Sequence, residues 1–246
     1  MKLYGLIGYP LGHSFSKKYF TEKFEKEGIN DCVFEVFPIP SIDEFPALLK
    51  ANPNLKGLCV TIPYKEQVVK YMDELSEEVK STWATNSICI RNNKLTAYNT
   101  DIAGFRQSFQ KLLQPHHTKA LVLGTGGASK AVQYVLHQLG IEYLVVSRKG
   151  STAERFIVYE DITASLMNEY NVVINCTPVG MWPNENACPA IPYEMITSKH
   201  YLYDLVYKPD ETLFLEKGKN KGAITQNGYE MLLIQAEESW RIWNSI

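Results

Sequence analysis

The chain has 246 residues, of which 45% are hydrophobic, enough for one large domain or two small ones with their own cores. Its 25 basic and 27 acidic residues leave a formal charge of −2 and form no long run of either sign. This balance argues against nucleic acid or an anionic membrane surface as a partner. Five cysteines without a C-x-x-C spacing predict neither a disulfide framework nor a zinc site. With no long apolar run to cross a membrane or direct export, we expect a cytoplasmic protein.

Short apolar runs alternate with helical patterns through the first hundred residues, which predicts βα units and a largely parallel sheet. The predicted strands cover residues 3–7, 33–37, 57–61 and 87–90, and the predicted helices cover 16–27, 42–50 and 66–80. We therefore expect residues 1–100 to form one α/β domain.

A helix is predicted over residues 101–113, where Ile102, Phe105 and Phe109 recur at helical spacing. The pattern breaks at residues 114–117, Gln-Pro-His-His. Asp101 would lie in the first turn of this helix, where the helix dipole favours an ionised carboxylate by up to about 1 kcal/mol.

The sharpest strand-turn-helix pattern of the chain follows. Residues 120–124 predict a buried strand, and the helix after it places Ala128, Ala131, Val132 and Val135 on one face. Further predicted elements are strands at 143–147, 172–176, 201–205 and 223–225, a short segment at 156–159 and a helix at 211–220. We expect residues 101–227 to form a second, Rossmann-like domain. The apolar face of a last helix, about 228–246, requires a docking surface, which we expect on the first domain.

The glycine turn of this pattern comprises Gly124, Thr125, Gly126, Gly127 and Ala128. Glycines allow a tight turn and let backbone N–H groups approach a pyrophosphate at the helix N-terminus. Ser129 stands where a third glycine or alanine is usual in dinucleotide-binding turns. The turn predicts nucleotide binding, and the alternative is a βα turn with a structural role alone.

The next predicted strand ends in Ser147, Arg148 and Lys149, where an NAD site would present an acidic residue to the ribose. Two cations suit the 2′-phosphate of NADP(H), which is therefore the predicted cofactor. The alternative interpretation is a solvated basic turn.

Lys65 follows Ile62-Pro63-Tyr64 at a strand end, from which its side chain can enter a pocket. Burial lowers the proton affinity of a lysine, so a partly buried Lys65 hydrogen-bonded to Asp101 could transfer protons near neutral pH. Most lysines are surface charges, and this alternative stays open for Lys65. Ser14 and Ser16 open the first predicted helix, where they either hold a substrate carboxylate or cap the helix. His13 has no second ligand at metal-binding spacing, and no metal is predicted.

Taken together, these motifs resemble the shikimate dehydrogenase family over essentially the whole chain. The matching segments are Gly-His-Ser-Phe-Ser at 12–16, Val-Thr-Ile-Pro-Tyr-Lys at 60–65, Asn86, Asn-Thr-Asp at 99–101, the glycine turn, Asn-Cys-Thr-Pro-Val-Gly-Met at 175–181, Asp-Leu-Val-Tyr-Lys-Pro at 204–209 and Asn-Gly-Tyr-Glu-Met at 227–231 with Gln235. Differences from the family pattern include Cys59 in place of asparagine and Lys17 in place of proline.

The resemblance implies an α/β fold in which a substrate-binding lobe and a Rossmann-like NADP-binding lobe flank a cleft, and the C-terminal helix returns to the first lobe. It implies NADPH-dependent reduction of 3-dehydroshikimate to shikimate in aromatic amino-acid biosynthesis, with Lys65 and Asp101 as the catalytic pair. Substrate would be held by Ser14, Ser16, Thr61, Asn86, Tyr207 and Gln235. The cofactor would be lined by Gly124, Thr125, Gly126, Gly127, Ala128, Ser147, Arg148, Lys149, Leu205 and Gly228.

Two alternative functions stay open. The first is a quinate/shikimate dehydrogenase or a paralogue with an altered cyclohexene acid as substrate, since Cys59 lies on the substrate side. The second is a non-catalytic NADP(H)-binding sensor, against which the presence of Lys65 and Asp101 argues. The sequence does not distinguish a monomer from a homodimer.

Overall fold

A computed structural model describes residues 1–12, 15–150 and 154–245. The chain divides into two compact units, of which unit 1 comprises Met1–Thr100 with Ala236–Ile246 and unit 2 comprises Asp101–Gln235. Each unit contains a six-stranded sheet with helices packed on it. The predicted α/β architecture is confirmed.

Unit 1 is built on a mixed sheet with the strand order β2-β1-β3-β5-β6-β4. Its elements are β1 (Lys2–Gly8), α1 (Phe15–Glu27), β2 (Cys32–Pro38), α2 (Phe45–Ala51), β3 (Leu55–Val60), β4 (Glu74–Leu75), α3 (Glu77–Thr82), β5 (Ser87–Arg91) and β6 (Lys94–Tyr98). Strands β1, β2 and β3 are parallel, whereas β5 runs antiparallel to both β3 and β6.

The core of unit 1 lies on both faces of this sheet, because alternate residues of β1 point to opposite sides. Leu3 and Ile7 pack in an aliphatic cluster on one side. Tyr4 and Leu6 pack on the other side in an aromatic cluster with Trp243, close to the C-terminus. The end of the chain therefore supplies part of the core of unit 1.

The helix predicted over residues 66–80 is wrong. The chain instead forms a 3₁₀ turn (Gln67–Tyr71), the short strand β4 and then α3. Strand β4 forms because it pairs with β6, a strand that the prediction missed. Ser76 then starts α3 as its N-cap, since its hydroxyl accepts the N–H of Val79.

Unit 2 contains a fully parallel sheet with the order β12-β11-β10-β7-β8-β9. Its elements are α4 (Thr100–Gln110), which begins at the last residue of unit 1, β7 (Lys119–Leu123), α5 (Gly127–Gln138), β8 (Glu142–Ser147), β9 (Phe156–Val158), α6 (Ala164–Glu169), β10 (Val172–Asn175), β11 (Tyr201–Asp204), α7 (Leu213–Lys219), β12 (Ile224–Gln226) and the first part of α8 (Tyr229–Asn244). Helix α6 was not predicted. The strand order reverses between β7 and β10, the position where open parallel sheets bind ligands.

Helix α8 crosses the boundary between the units. Its residues up to Gln235 belong to unit 2, and those from Ala236 onward belong to unit 1. Across the part of the chain that the structure describes, no helix combines the length and apolar character required to span a membrane.

Candidate active site

Thr61, one of the predicted substrate residues, follows β3 and lies beside the carboxyl end of β1. The N–H of Thr61 donates to the carbonyl of Ile7 at 3.0 Å. A Cβ placed on Gly8 would lie 2.5 Å from Thr61 Cγ2, so this close approach requires glycine. Ser16 lies half-buried in the first turn of α1. The predicted role of Ser14 falls outside the described residues.

Lys65 lies partly buried in the turn that follows β3. Two hydrogen bonds fix this turn. The backbone carbonyl of Lys65 accepts the N–H of Thr85 at 2.8 Å. The side chain of the preceding residue, Tyr64, is buried, and its hydroxyl donates to the carbonyl of Ile39 at 2.6 Å. A fixed backbone limits the positions that the ammonium group can reach.

Asn86 forms a buried polar cluster with Thr100 and Ser239 within unit 1. Its side-chain carbonyl accepts the N–H of Thr100 at 2.7 Å, and its amide donates to the Thr100 hydroxyl at 2.9 Å. The Thr100 and Ser239 hydroxyls lie 3.1 Å apart. Neither Thr100 nor Ser239 was among the predicted site residues. Thr100 could have been found within the Asn-Thr-Asp motif, whereas no local signal marks Ser239.

Asp101 is the first residue of unit 2 and lies buried in the first turn of α4, as predicted. One turn later, a Cβ on Gly104 would lie 2.6 Å from the carbonyl of Met231 and 3.2 Å from Cβ of Gln235. Helices α4 and α8 therefore pack backbone to backbone. This packing places the buried Gln235 against Gly104, and the Gln235 amide donates to the carbonyl of Leu232.

The glycine turn joins β7 to α5, the strand–turn–helix arrangement that is typical of dinucleotide-binding domains. Gly124 has φ +106°, a left-handed conformation that favours glycine. Open space surrounds the position of a Cβ on Gly126, the N-cap of α5, and Thr125 is exposed beside it. Ser129 is buried and its hydroxyl donates to the carbonyl of Gly124 at 2.7 Å. It therefore closes the turn from inside, while Gly127 and Ala128 begin the helix.

The predicted 2′-phosphate residues follow β8, the parallel neighbour of β7. Ser147 is the last residue of this strand and its hydroxyl donates to the carbonyl of Lys149. Arg148 and Lys149 are exposed, so both cations are accessible to an anionic group. The open space at Gly126 and these two cations at the adjacent strand end fit the pyrophosphate and 2′-phosphate of NADP(H).

Leu205, Tyr207 and Gly228 lie near the carboxyl end of β11. A Cβ on Gly228 would lie 2.2 Å from the carbonyl oxygen of Leu205, so glycine permits this contact. The N–H of Gly228 donates to the carbonyl of Val206 at 3.2 Å. Tyr207 is half-buried, and burial raises the pKa of its phenol. Among the described residues, no group of three or more His, Cys, Asp and Glu side chains is arranged to hold a metal ion.

Comparison with known proteins identifies the family to which the chain belongs. Residues 6–88 match the family model of the shikimate dehydrogenase substrate binding domain. The chain is 36% identical over its full length to a shikimate dehydrogenase (NADP+) of Caldicellulosiruptor saccharolyticus, of which it covers 92%.

Solved structures give the same result. Shikimate dehydrogenase 1 of Peptoclostridium difficile has 36% identity and a TM-score of 0.85, with 99% of this chain and 91% of that one covered. The enzyme of Thermus thermophilus, solved with NADP(H) and shikimate, has 29% identity and a TM-score of 0.83, with 100% and 94% covered. The chain belongs to the shikimate dehydrogenase family, a family of NADP-dependent oxidoreductases.

Proposed function

We propose that this chain catalyses the NADPH-dependent reduction of 3-dehydroshikimate to shikimate in aromatic amino-acid biosynthesis. The observation that carries the proposal is the extent of the similarity. Named shikimate dehydrogenases match the chain across both units, with 36% identity over its full length. Similarity confined to a nucleotide-binding unit would not identify the substrate. Here residues 6–88 match the model of the substrate binding domain.

The cofactor would be held by unit 2. The N–H groups at the start of α5, from Gly126 to Ala128, would bind the pyrophosphate. Arg148 and Lys149 would pair with the 2′-phosphate, while the backbone around Leu205 and Gly228 would line the nicotinamide side. When bound, NADPH supplies the hydride for reduction of the substrate carbonyl.

Lys65 and Asp101 are proposed to handle the proton. The lysine ammonium would donate a proton to the oxygen that becomes a hydroxyl, and the aspartate carboxylate would keep the ammonium oriented. After the reaction, water would return a proton to the lysine. Partial burial of Lys65 and the fixed backbone of its turn support this role. Asp101 is buried in the first turn of α4, where the helix backbone limits the positions that its carboxylate can reach.

Hydroxyl and amide groups are proposed to bind the substrate. Ser14 and Ser16 would hold its carboxylate near the start of α1, where N–H groups favour an anion. The side chains of Thr61, Asn86, Tyr207 and Gln235 would bind its hydroxyls. The cluster around Asn86 supports this assignment, since a side chain held by Thr100 on both its oxygen and its nitrogen is fixed before a ligand arrives.

A substrate panel tests the proposal. Purified chain is assayed with NADP+ and either shikimate or quinate, and with NADPH and 3-dehydroshikimate. The proposal predicts turnover of shikimate and 3-dehydroshikimate, with kcat/KM for shikimate above that for quinate. A preference for quinate would favour the altered-substrate alternative, and NADPH binding without turnover of any cyclohexene acid would favour the sensor.

We further propose that the enzyme works in the cytoplasm as a monomer or a homodimer, without nucleic acid or membrane partners. The near-neutral charge supports this setting, as do five cysteines without a C-x-x-C spacing. Light scattering of the purified chain, with and without NADPH, distinguishes the two oligomeric states.

A further inference from the structure

Asp204, the last residue of β11, is a titratable group that the proposed machinery does not use. It is completely buried, and its hydrogen-bond donors among the described residues are all neutral. Its Oδ1 accepts from the N–H of Val206 and from the amide of Asn175, both at 3.0 Å, and its Oδ2 accepts from the Thr212 hydroxyl at 2.6 Å. Burial outweighs these bonds and raises the pKa of Asp204 to about 6. No cation among the described residues accounts for the pKa of this carboxyl. Burial of an unpaired charge lowers stability, and a functional role for Asp204 would lie in the contacts that it makes.

The first contact of Asp204 shapes the chain after β11. By accepting the N–H of Val206, it fixes the turn that contains Leu205. The carbonyl of Leu205 lies 2.2 Å from the position of a Cβ on Gly228, so a small movement of this turn would change the backbone contact. Thr212 anchors the other end of the same loop, because its hydroxyl also caps α7 by accepting the N–H of Leu215.

The second contact extends to the chain after β10. Asn175 donates its amide to Asp204, and its side-chain oxygen accepts the N–H and the hydroxyl of Thr177 at 3.0 and 2.6 Å. Cγ2 of Thr177 in turn lies 3.0 Å from the position of a Cβ on Gly124. Asp204 is therefore connected to the glycine turn through two buried or half-buried side chains.

We propose that Asp204 is a positioning residue that holds the loops after β10 and β11 in register with the glycine turn, and thereby sets the affinity for NADP(H). The two loops border the point where the strand order reverses, between β10 and β7. Because the network is preformed, cofactor binding does not have to order these loops. This role rests on the proposed function, in which unit 2 holds the cofactor.

The test compares NADPH dissociation constants, measured from the fluorescence of the reduced nicotinamide. Asp204→Ala removes all three acceptor contacts and is expected to weaken NADPH binding about tenfold or more. Asp204→Asn retains the shape and can restore the network, since the Thr212 hydroxyl can accept as well as donate. It is expected to bind NADPH within about threefold of the wild type, as a small perturbation of a satisfied network.

A matched control separates positioning from general loss of stability. Ser108→Ala removes a buried hydroxyl that lies 2.7 Å from the hydroxyl of Tyr203, the residue before Asp204, and touches neither loop. It should lower the melting temperature without changing the NADPH dissociation constant. If Asp204→Ala does not fold, Thr212→Val replaces it as the test, because it deletes one contact to the carboxylate.

The proposal is overturned if the folded Asp204→Ala variant, or Thr212→Val in its place, binds NADPH as the wild type does. It is also overturned if Asp204→Asn is as weak as Asp204→Ala, since hydrogen-bond positioning requires rescue by the amide. A wild-type chain that binds no NADPH would instead refute the proposed function itself.

Discussion

The side-chain oxygen of Asn86 accepts the backbone N–H of Thr100 at 2.7 Å and holds the start of α4. The first N–H groups of a helix have no acceptor within the helix. Here the side-chain oxygen of Asn86, the residue before β5, serves as the acceptor for one of them. Asp101 is the next residue along the chain. The proposed substrate residue Asn86 therefore also fixes the backbone that leads into the proposed catalytic carboxylate.

Substitution of Asn86 should affect both stability and substrate binding. Asn86→Ala leaves the buried Thr100 groups without this partner and is expected to cost about 1–3 kcal/mol in the free energy of unfolding. It should also raise KM for 3-dehydroshikimate while the dissociation constant of NADPH stays unchanged. Urea unfolding and steady-state kinetics measure the two effects. The control Asn54→Ala removes an exposed hydrogen bond to the carbonyl of Met1. Equal unfolding free energies and equal KM values for Asn86→Ala and Asn54→Ala would contradict a role for Asn86 in stability and substrate binding.

Gly126→Ala tests the glycine turn without disturbing the fold. Apart from its chain neighbours, no atom of the described residues lies within 4 Å of the position of its Cβ, so the added methyl should be accommodated. Loss of a favourable N-cap residue should cost at most about 1 kcal/mol of unfolding free energy. If the pyrophosphate approaches this backbone, the methyl should weaken NADPH binding about tenfold or more. Unchanged affinity in titrations of NADPH would exclude this position from the cofactor site.

Gly57 and Trp243 provide a test of how the C-terminal residues stabilise unit 1. A Cβ on Gly57 would lie 2.5 Å from the ring of Trp243. Gly57→Ala should therefore lower the free energy of unfolding by about 1–3 kcal/mol through overpacking. Trp243→Leu in the same chain should recover part of that loss, because it removes the overlapping ring. A double-mutant cycle measures this coupling. Strictly additive losses would show that the two residues do not meet.

Two buried histidines should make the protein sensitive to acid. His117 and His200 each accept a backbone N–H at Nδ1, from Gln114 and Thr197, so each is neutral with its proton on Nε2. Burial lowers the pKa of both imidazoles below their ordinary value of 6.5. Because the unfolded chain then binds protons more readily, their contribution is complete above about pH 6.5 and is lost as the pH falls further.

Urea unfolding at about pH 7.5 and about pH 5.5 checks this histidine effect. Asp204 acts in the opposite direction, since its pKa is raised to about 6 and its protonation favours the folded state as the pH falls. The wild type is therefore compared with His117→Asn and His200→Asn, which retain an acceptor but do not titrate. A smaller loss of stability at low pH in these variants is expected. An identical loss in all three proteins would rule out the histidines as its cause.

Sequence patterns predicted the elements that depend on local chemistry. The apolar run of β7, the glycine turn and the helical spacing of apolar residues in α5 all predict the same strand–turn–helix unit. The structure confirms this unit. The missed strand β6 had a usable signal. Asn92 and Asn93 both have positive φ, as expected for the two-residue hairpin turn that joins β5 to β6, and an Asn-Asn pair between apolar runs is typical of such turns.

Other features could not be predicted from neighbouring residues in the sequence, because they depend on tertiary contacts. Thr100 and Ser239 meet across 139 positions of sequence, and the link from Asp204 to Asn175 spans 29. The short strand β4 exists because β6 offers it a pairing edge, so its own residues carry little signal. The roles of Lys65 and Asp101 stay predictions that rest on the motifs around them.

The most direct test of the central claim is the turnover number for NADPH oxidation with 3-dehydroshikimate, measured for wild type, Lys65→Ala and the control Lys56→Ala. Lys56 is exposed on β3 and should tolerate the change. We predict wild-type turnover in the control and a loss of at least about 100-fold in kcat for Lys65→Ala, with NADPH binding unchanged. Wild-type kcat in the Lys65→Ala variant would contradict a role for this lysine in the chemistry, and no turnover by the wild-type chain would contradict the proposed reaction.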